Sequence, residues 1–136
     1  MLFKHAVVWI DHSEAHLMRY NADDSQEQVV KAHSKHQNIP HKSGTPGSGH
    51  EAESQGYYHE VARALEGTRE IVVVGPGNAK LFFTKHLYKH DPATAAKLMG
   101  IETVDHPSDK QLLAYARHYF AGADRMRGDA GMGATR

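Results

Sequence analysis

The chain contains no cysteine in 136 residues, which excludes disulfides and thiolate metal sites and agrees with a reducing compartment. Net charge is also missing, because sixteen basic side chains meet sixteen acidic ones. A generic nucleic-acid coat held by bulk charge is therefore excluded, and any nucleic-acid surface must be local. No apolar run approaches the length of a membrane span. Met1-Leu2-Phe3-Lys4-His5 leads straight into a strand pattern, not a signal peptide. A cytoplasmic protein without membrane association is expected. Neither Gly-x-x-x-x-Gly-Lys-Ser/Thr nor His-Glu-x-x-His occurs, and no cofactor is expected.

What is abundant is histidine, at twelve residues. An unperturbed imidazole titrates near about pH 6.5, so mild acid turns a neutral chain basic. The length suits one domain with its own core.

Residues 4–11 and 14–20 read as strands joined by the turn Asp11-His12-Ser13, and 28–33 suits a third strand, giving a meander. Residues 34–50 hold three glycines, two prolines and no apolar period, which predicts a long flexible loop. A helix is predicted over 51–66, with Tyr58, Val61, Ala62 and Leu65 on one stripe and Gly67 as its stop. The β-branched run Ile71 to Val74 predicts a strand buried on both faces.

That strand breaks on Gly75-Pro76-Gly77 and restarts as a helix with Asn78 as N-cap. The free amides of the first turn and the helix dipole favour phosphate or carboxylate there, with Lys80 nearby. The same shape also serves as a plain structural turn. In the following helix Ala79, Phe82, Phe83, His86 and Leu87 recur on one stripe, leaving Lys80, Lys85 and Lys89 toward solvent. Asp91-Pro92 opens a short helix expected to end at Gly100, and Ile101 to Val104 reads as a strand. Ser108 and Gln111 have capping-box spacing ahead of a last helix that stops at Gly122. Residues 1–122 are thus one domain and 123–136 a disordered tail.

The expected fold class is α/β, a single three-layer domain with a mixed sheet of about five strands and helices on both faces. Two fold families share this order. In the ribonuclease H type, a carboxylate on the first strand joins others around magnesium for phosphodiester cleavage. Asp11 would be the first, and Glu51, Glu53, Asp105 and Asp109 lie at element ends where they could join it. Yet the central strand ends in Gly75-Pro76-Gly77 where a further acid belongs. Asp11 can equally serve as a turn residue bonding its own backbone.

Val74-Gly75-Pro76-Gly77-Asn78-Ala79-Lys80, followed by Glu102-Thr103-Val104-Asp105-His106-Pro107-Ser108-Asp109, resembles bacterial relatives of the middle domain of archaeal and eukaryotic peptide-chain release factors and of Pelota. The resemblance spans residues 4–121. In release factors it implies a long loop bearing Gly-Gly-Gln that positions water on the peptidyl-tRNA ester. Here the equivalent stretch is Ser43-Gly44-Thr45-Pro46-Gly47-Ser48-Gly49-His50, without Gly-Gly-Gln. Pelota-like proteins lack the motif as well. The resemblance therefore implies a non-catalytic, ribosome- or RNA-associated factor in rescue, hibernation or quality control.

Independently of that likeness, Lys35, His36, His41, Lys42 and His50 with Gly47 and Gly49 make a basic glycine-bearing loop that can approach phosphates. The turn residues Gly75, Gly77, Asn78 and Lys80, with Lys85 and Lys89, make a second basic patch. Tyr57 and Tyr58 suit either base stacking or the core. The pairs His33/His36, His36/His41 and His86/His90 have metal-ligand spacing, but no third ligand is dictated and no metal is assigned. A third reading is a protein-interaction module whose exposed edge strand pairs with a partner or with a second copy in a homo-oligomer.

Overall fold

The computed structural model describes the backbone of residues 3–32 and 46–135, and the side chains of 3–32 and 55–122. The strands are β1 (Phe3–Ile10), β2 (Glu14–Tyr20), β3 (Ser25–Lys31), β4 (Thr68–Gly75) and β5 (Leu98–Thr103). The helices are α1 (Pro46–Ala64), α2 (Ala79–His90), α3 (Pro92–Ala95) and α4 (Asp109–Thr135). They build one mixed sheet in the order β3-β2-β1-β4-β5. The meander is antiparallel, whereas β4 runs parallel to both β1 and β5. Parallel neighbours need crossovers, and helices supply them.

Alternation along the strands divides the apolar side chains between two layers. Val8, Ile10, Leu17, Ile71 and Val73 face α1 and α2, where Val61, Leu65, Phe83 and Leu87 close over them. Val7, Trp9, Met18, Val72 and Val74 face α4 and its Leu112, Ala116 and Phe120. β4 is buried from Ile71 to Gly75, as its β-branched run predicts. The α/β three-layer expectation is met.

Several boundaries differ from the sequence pattern. β3 begins at Ser25, not Gln28: Ser25 to Gln28 are polar and, like Val29, exposed, so pairing with β2, in register from Tyr20↔Ser25 to Glu14↔Lys31, decides the strand rather than burial. α1 begins at Pro46, so Gly47, Gly49 and His50 lie in a helix and not in a loop. Proline suits the first helical turn, where its missing N–H costs nothing. α3 ends at Ala95 and β5 starts at Leu98, so the chain becomes a strand before Gly100. Gly100 belongs inside β5 because Tyr119 lies over it: a Cβ there would sit 2.1 Å from the tyrosine oxygen. α4 runs on past Gly122, where a stop and a disordered tail were expected.

Capping is mixed. Ser108 N–H donates to Gln111 Oε1 at 2.9 Å and Gln111 N–H to Ser108 Oγ at 3.2 Å, the reciprocal pair that the spacing predicts. Asn78 stands at the N-cap of α2, but its side chain makes no cap bond; its carbonyl accepts from Leu81 and Phe82 instead. Gly67 closes the end of α1 with φ of 86°, a conformation that favours glycine.

A polar knot ties the helices on the first face. His86 is buried, with Nδ1 against the Gln55 carboxamide of α1 and Nε2 2.9 Å from Asp91 Oδ2, while His59 Nδ1 lies 3.5 Å from the same carboxylate oxygen. Asp91 thus serves His86 rather than capping α3. Burial, the larger effect, pulls the His86 imidazole below its ordinary value, opposed by the Asp91 bond and charge.

Two predictions follow from this packing. A Cβ at Gly75 would lie 2.3 Å from the Ile10 carbonyl oxygen, whereas one at Gly77 meets nothing within 4 Å. Gly75→Ala is expected to cost about 1–3 kcal/mol in urea unfolding and Gly77→Ala less than about 0.5 kcal/mol; equal losses would refute the close approach. For His86, a folded-state pKa below the unfolded one means its contribution is full above about pH 6.5 and is lost as pH falls through the depressed value. Denaturation midpoints are expected to drop between about pH 7.5 and about pH 5.5, and to drop less in His86→Gln.

Candidate nucleic-acid interface

The turn between β4 and α2 is pinned on two sides. Gly75 is buried against Ile10, and its carbonyl accepts from Val104 N–H at 3.1 Å. Lys80 was expected to face solvent, but it is only 7% exposed and its ammonium folds back to donate to the Gly77 carbonyl. The stem lies along the buried side of α2 beside Ala79, Phe83 and Thr84, so the lysine closes the turn from within. Pro76, Gly77 and Asn78 remain exposed at the tip.

The outer face of α2 is where exposed charge and exposed rings coincide. Lys85, Lys89 and His90 are exposed, as are Leu81 at 51%, Phe82 at 49% and Tyr88 at 64%. Leu81, Lys85 and Tyr88 stand at helical i, i+4, i+7 spacing, and Phe82 and Lys89 form the adjacent row. Phe82 was expected on the buried stripe. Of the two neighbouring phenylalanines only Phe83 stays buried, and the helical turn carries Phe82 out to solvent, 6.1 Å from the His12 ring. Such a face offers ammonium groups to phosphates and rings to bases.

Other candidates resolve differently. Tyr57 and Tyr58 are buried, and Tyr57 O–H donates to the Asp11 carbonyl, so neither is a stacking platform. Burial raises the Tyr57 phenol far above its usual range. Asp11 Oδ1 accepts from Ser13 and Glu14 N–H at 2.8 and 2.9 Å, holding the β1–β2 turn. It belongs to neither group of metal-ligating side chains found among the described residues. Lys35, His36 and His41, with Lys42, lie outside the described residues, as does His33. Glu51, Glu53 and His50 lie in α1 with side chains outside the described ones.

One grouping escaped the sequence pattern: Glu14, His16 and His106 converge although ninety residues separate the two histidines. The available signal was Glu-x-His at strand period, which puts both side chains on one face. Among the described residues no helix is long and apolar enough to cross a membrane.

In sequence, the chain matches no family model and no curated relative. In structure it is similar to Pelota from Archaeoglobus fulgidus, at 16% identity and a TM-score of 0.62, over 97% of this chain and 37% of that one. It is similar to the archaeal translation termination factor aRF1, at 13% identity and a TM-score of 0.59, over 93% of this chain and 39% of that one. Pelota from Thermoplasma acidophilum gives 15% identity and a TM-score of 0.55 over 80% and 30%. The chain thus spans less than half the length of these proteins. The likeness is one of fold, and it is the release-factor and Pelota type that Gly75–Lys80 and Glu102–Asp109 anticipate.

Proposed function

We propose that the chain is a translation-associated factor that binds the ribosome or structured RNA in the cytoplasm without cleaving it. The observation that carries this reading is the shared fold with Pelota over 97% of the chain. The outer face of α2 supports it: Lys85 and Lys89 contact phosphates, and Phe82 and Tyr88 cover bases or apolar surface beside them. Gly77 and Asn78 at the turn tip lie at the start of the same helix. Lys35, His41 and Lys42, with Gly47, Gly49 and His50 on the first turns of α1, form the second RNA contact. Rescue, hibernation and quality control are the roles that such occupation without chemistry serves.

Asp11 argues against the nuclease alternative, since its Oδ1 is committed to the β1–β2 turn and the residue joins no group of three metal-ligating side chains among the described residues. Co-sedimentation with ribosomes is expected for the wild-type chain, falling as salt rises. Lys85→Glu/Lys89→Glu is expected to weaken it at least about tenfold and to flatten the salt dependence by about one unit of slope per lost contact. Both lysines are exposed, so the fold survives the change. Structured RNA with magnesium is expected to stay intact; cleavage that Asp11→Ala abolishes would replace this reading by the nuclease one. Binding that resists high salt and ignores both lysines would instead identify a protein-interaction surface.

A further inference from the structure

We propose that Glu14, His16 and His106 form a binding site for one divalent ion of the zinc class, at the junction of the β1–β2 hairpin with the entry to α4. Each residue offers one ligand atom within 4.8 Å of the others. Glu14 and His16 stand two apart on β2 and therefore share the face that carries Met18 and Tyr20 toward α4. His16 is the cross-strand partner of Trp9. The Trp9 indole N–H donates to the Asp105 carbonyl at 2.7 Å, and its ring lies 4.3 Å from that of His106, so the segment bearing the third ligand is fastened above β1.

The surroundings resemble those of a prepared site. His16 Nε2 lies 2.6 Å from Glu14 Oε2, while its Nδ1 lies 3.4 Å from Asp109 Oδ1. A carboxylate on the far nitrogen is the arrangement that orients a ligating imidazole. Asp109 is itself positioned in the first turn of α4, beside the Ser108–Gln111 capping pair. Lys31 Nζ occupies the other Glu14 oxygen at 3.2 Å and leaves Oε2 for the ion.

Two imidazoles and one carboxylate suit zinc, nickel or copper rather than magnesium or calcium, which prefer all-oxygen shells. Three protein ligands leave a fourth position to water, on the exposed side of His106. With metal–ligand bonds of about 2.0–2.2 Å, neighbouring ligand atoms stand about 3.4 Å apart, so the Glu14–His16 contact need open by under about 1 Å. The ion replaces the proton that those two side chains share. The other grouping, His59, His86 and Asp91, is less accessible, because the His86 side chain at its centre is only 3% exposed.

The test is a zinc titration of the intact, chelator-stripped chain against a fluorescent competitor, with cobalt absorption as a second readout. One tight equivalent is expected, with the intense visible bands of a four-coordinate cobalt site. His106→Ala and Glu14→Gln are each expected to weaken binding at least about tenfold and to abolish those bands, with metal-free unfolding midpoints separating loss of a ligand from loss of the His106 contact with Trp9. Asp109→Asn is expected to weaken binding about tenfold. His59→Ala should change nothing. Tight binding that survives His106→Ala, loss of binding in His59→Ala, or only weak uptake spread over many histidines would each overturn the assignment.

Discussion

The parallel contact of β1 with β4 is the constraint on which the other elements depend. It places the two most apolar strands at the centre of the sheet and brings the Ile10 carbonyl so close to Gly75 that no side chain fits between them. Because β4 must leave the sheet at that point, the chain turns at Pro76 and Gly77 and starts α2 directly. The helix face that carries Lys85 and Lys89 is therefore aimed by a backbone approach in the core, not by surface residues. The same pairing aligns Trp9 with the segment after β5, where His106 leads toward the start of α4 at Asp109.

The central layer was legible in the sequence because Ala6 to Ile10 and Ile71 to Val74 are short, β-branched-rich apolar runs that end in turn residues. The capping pair at Ser108 and Gln111 was legible too, since both partners are local. What escaped were features settled by distant contacts. β3 is polar outside and forms because β2 offers an edge. Lys80 and Phe82 exchange the expected places on α2, since a lysine whose ammonium reaches the Gly77 carbonyl can bury its stem while Phe83 fills the core position next door. Asp91 follows cap spacing but is recruited by His86 five residues earlier. Each case pits a short-range preference against a tertiary partner that composition does not reveal.

The proposed contact surface follows the same division. Its lysines are visible as a helical pattern, and the Gly-Pro-Gly turn signals where the helix starts. That Phe82 and Tyr88 share the exposed face emerges only when the buried side is assigned. The histidines divide by environment: His86 serves as an interior hydrogen-bonding hub, whereas His16 and His106 meet at an accessible junction with carboxylates around them.

Trp9 gives this architecture an optical consequence. It is the only tryptophan in the chain, it is interior, and its ring lies edge-on to His16 at 5.8 Å. Indole emission therefore reports on one place, the seam between the hairpin and the start of α4, free of overlapping signals. Separation of that seam would shift the spectrum to the red, and a charged imidazole or a heavy cation arriving beside the ring would dim it, so a fluorimeter can watch this corner of the molecule without any label.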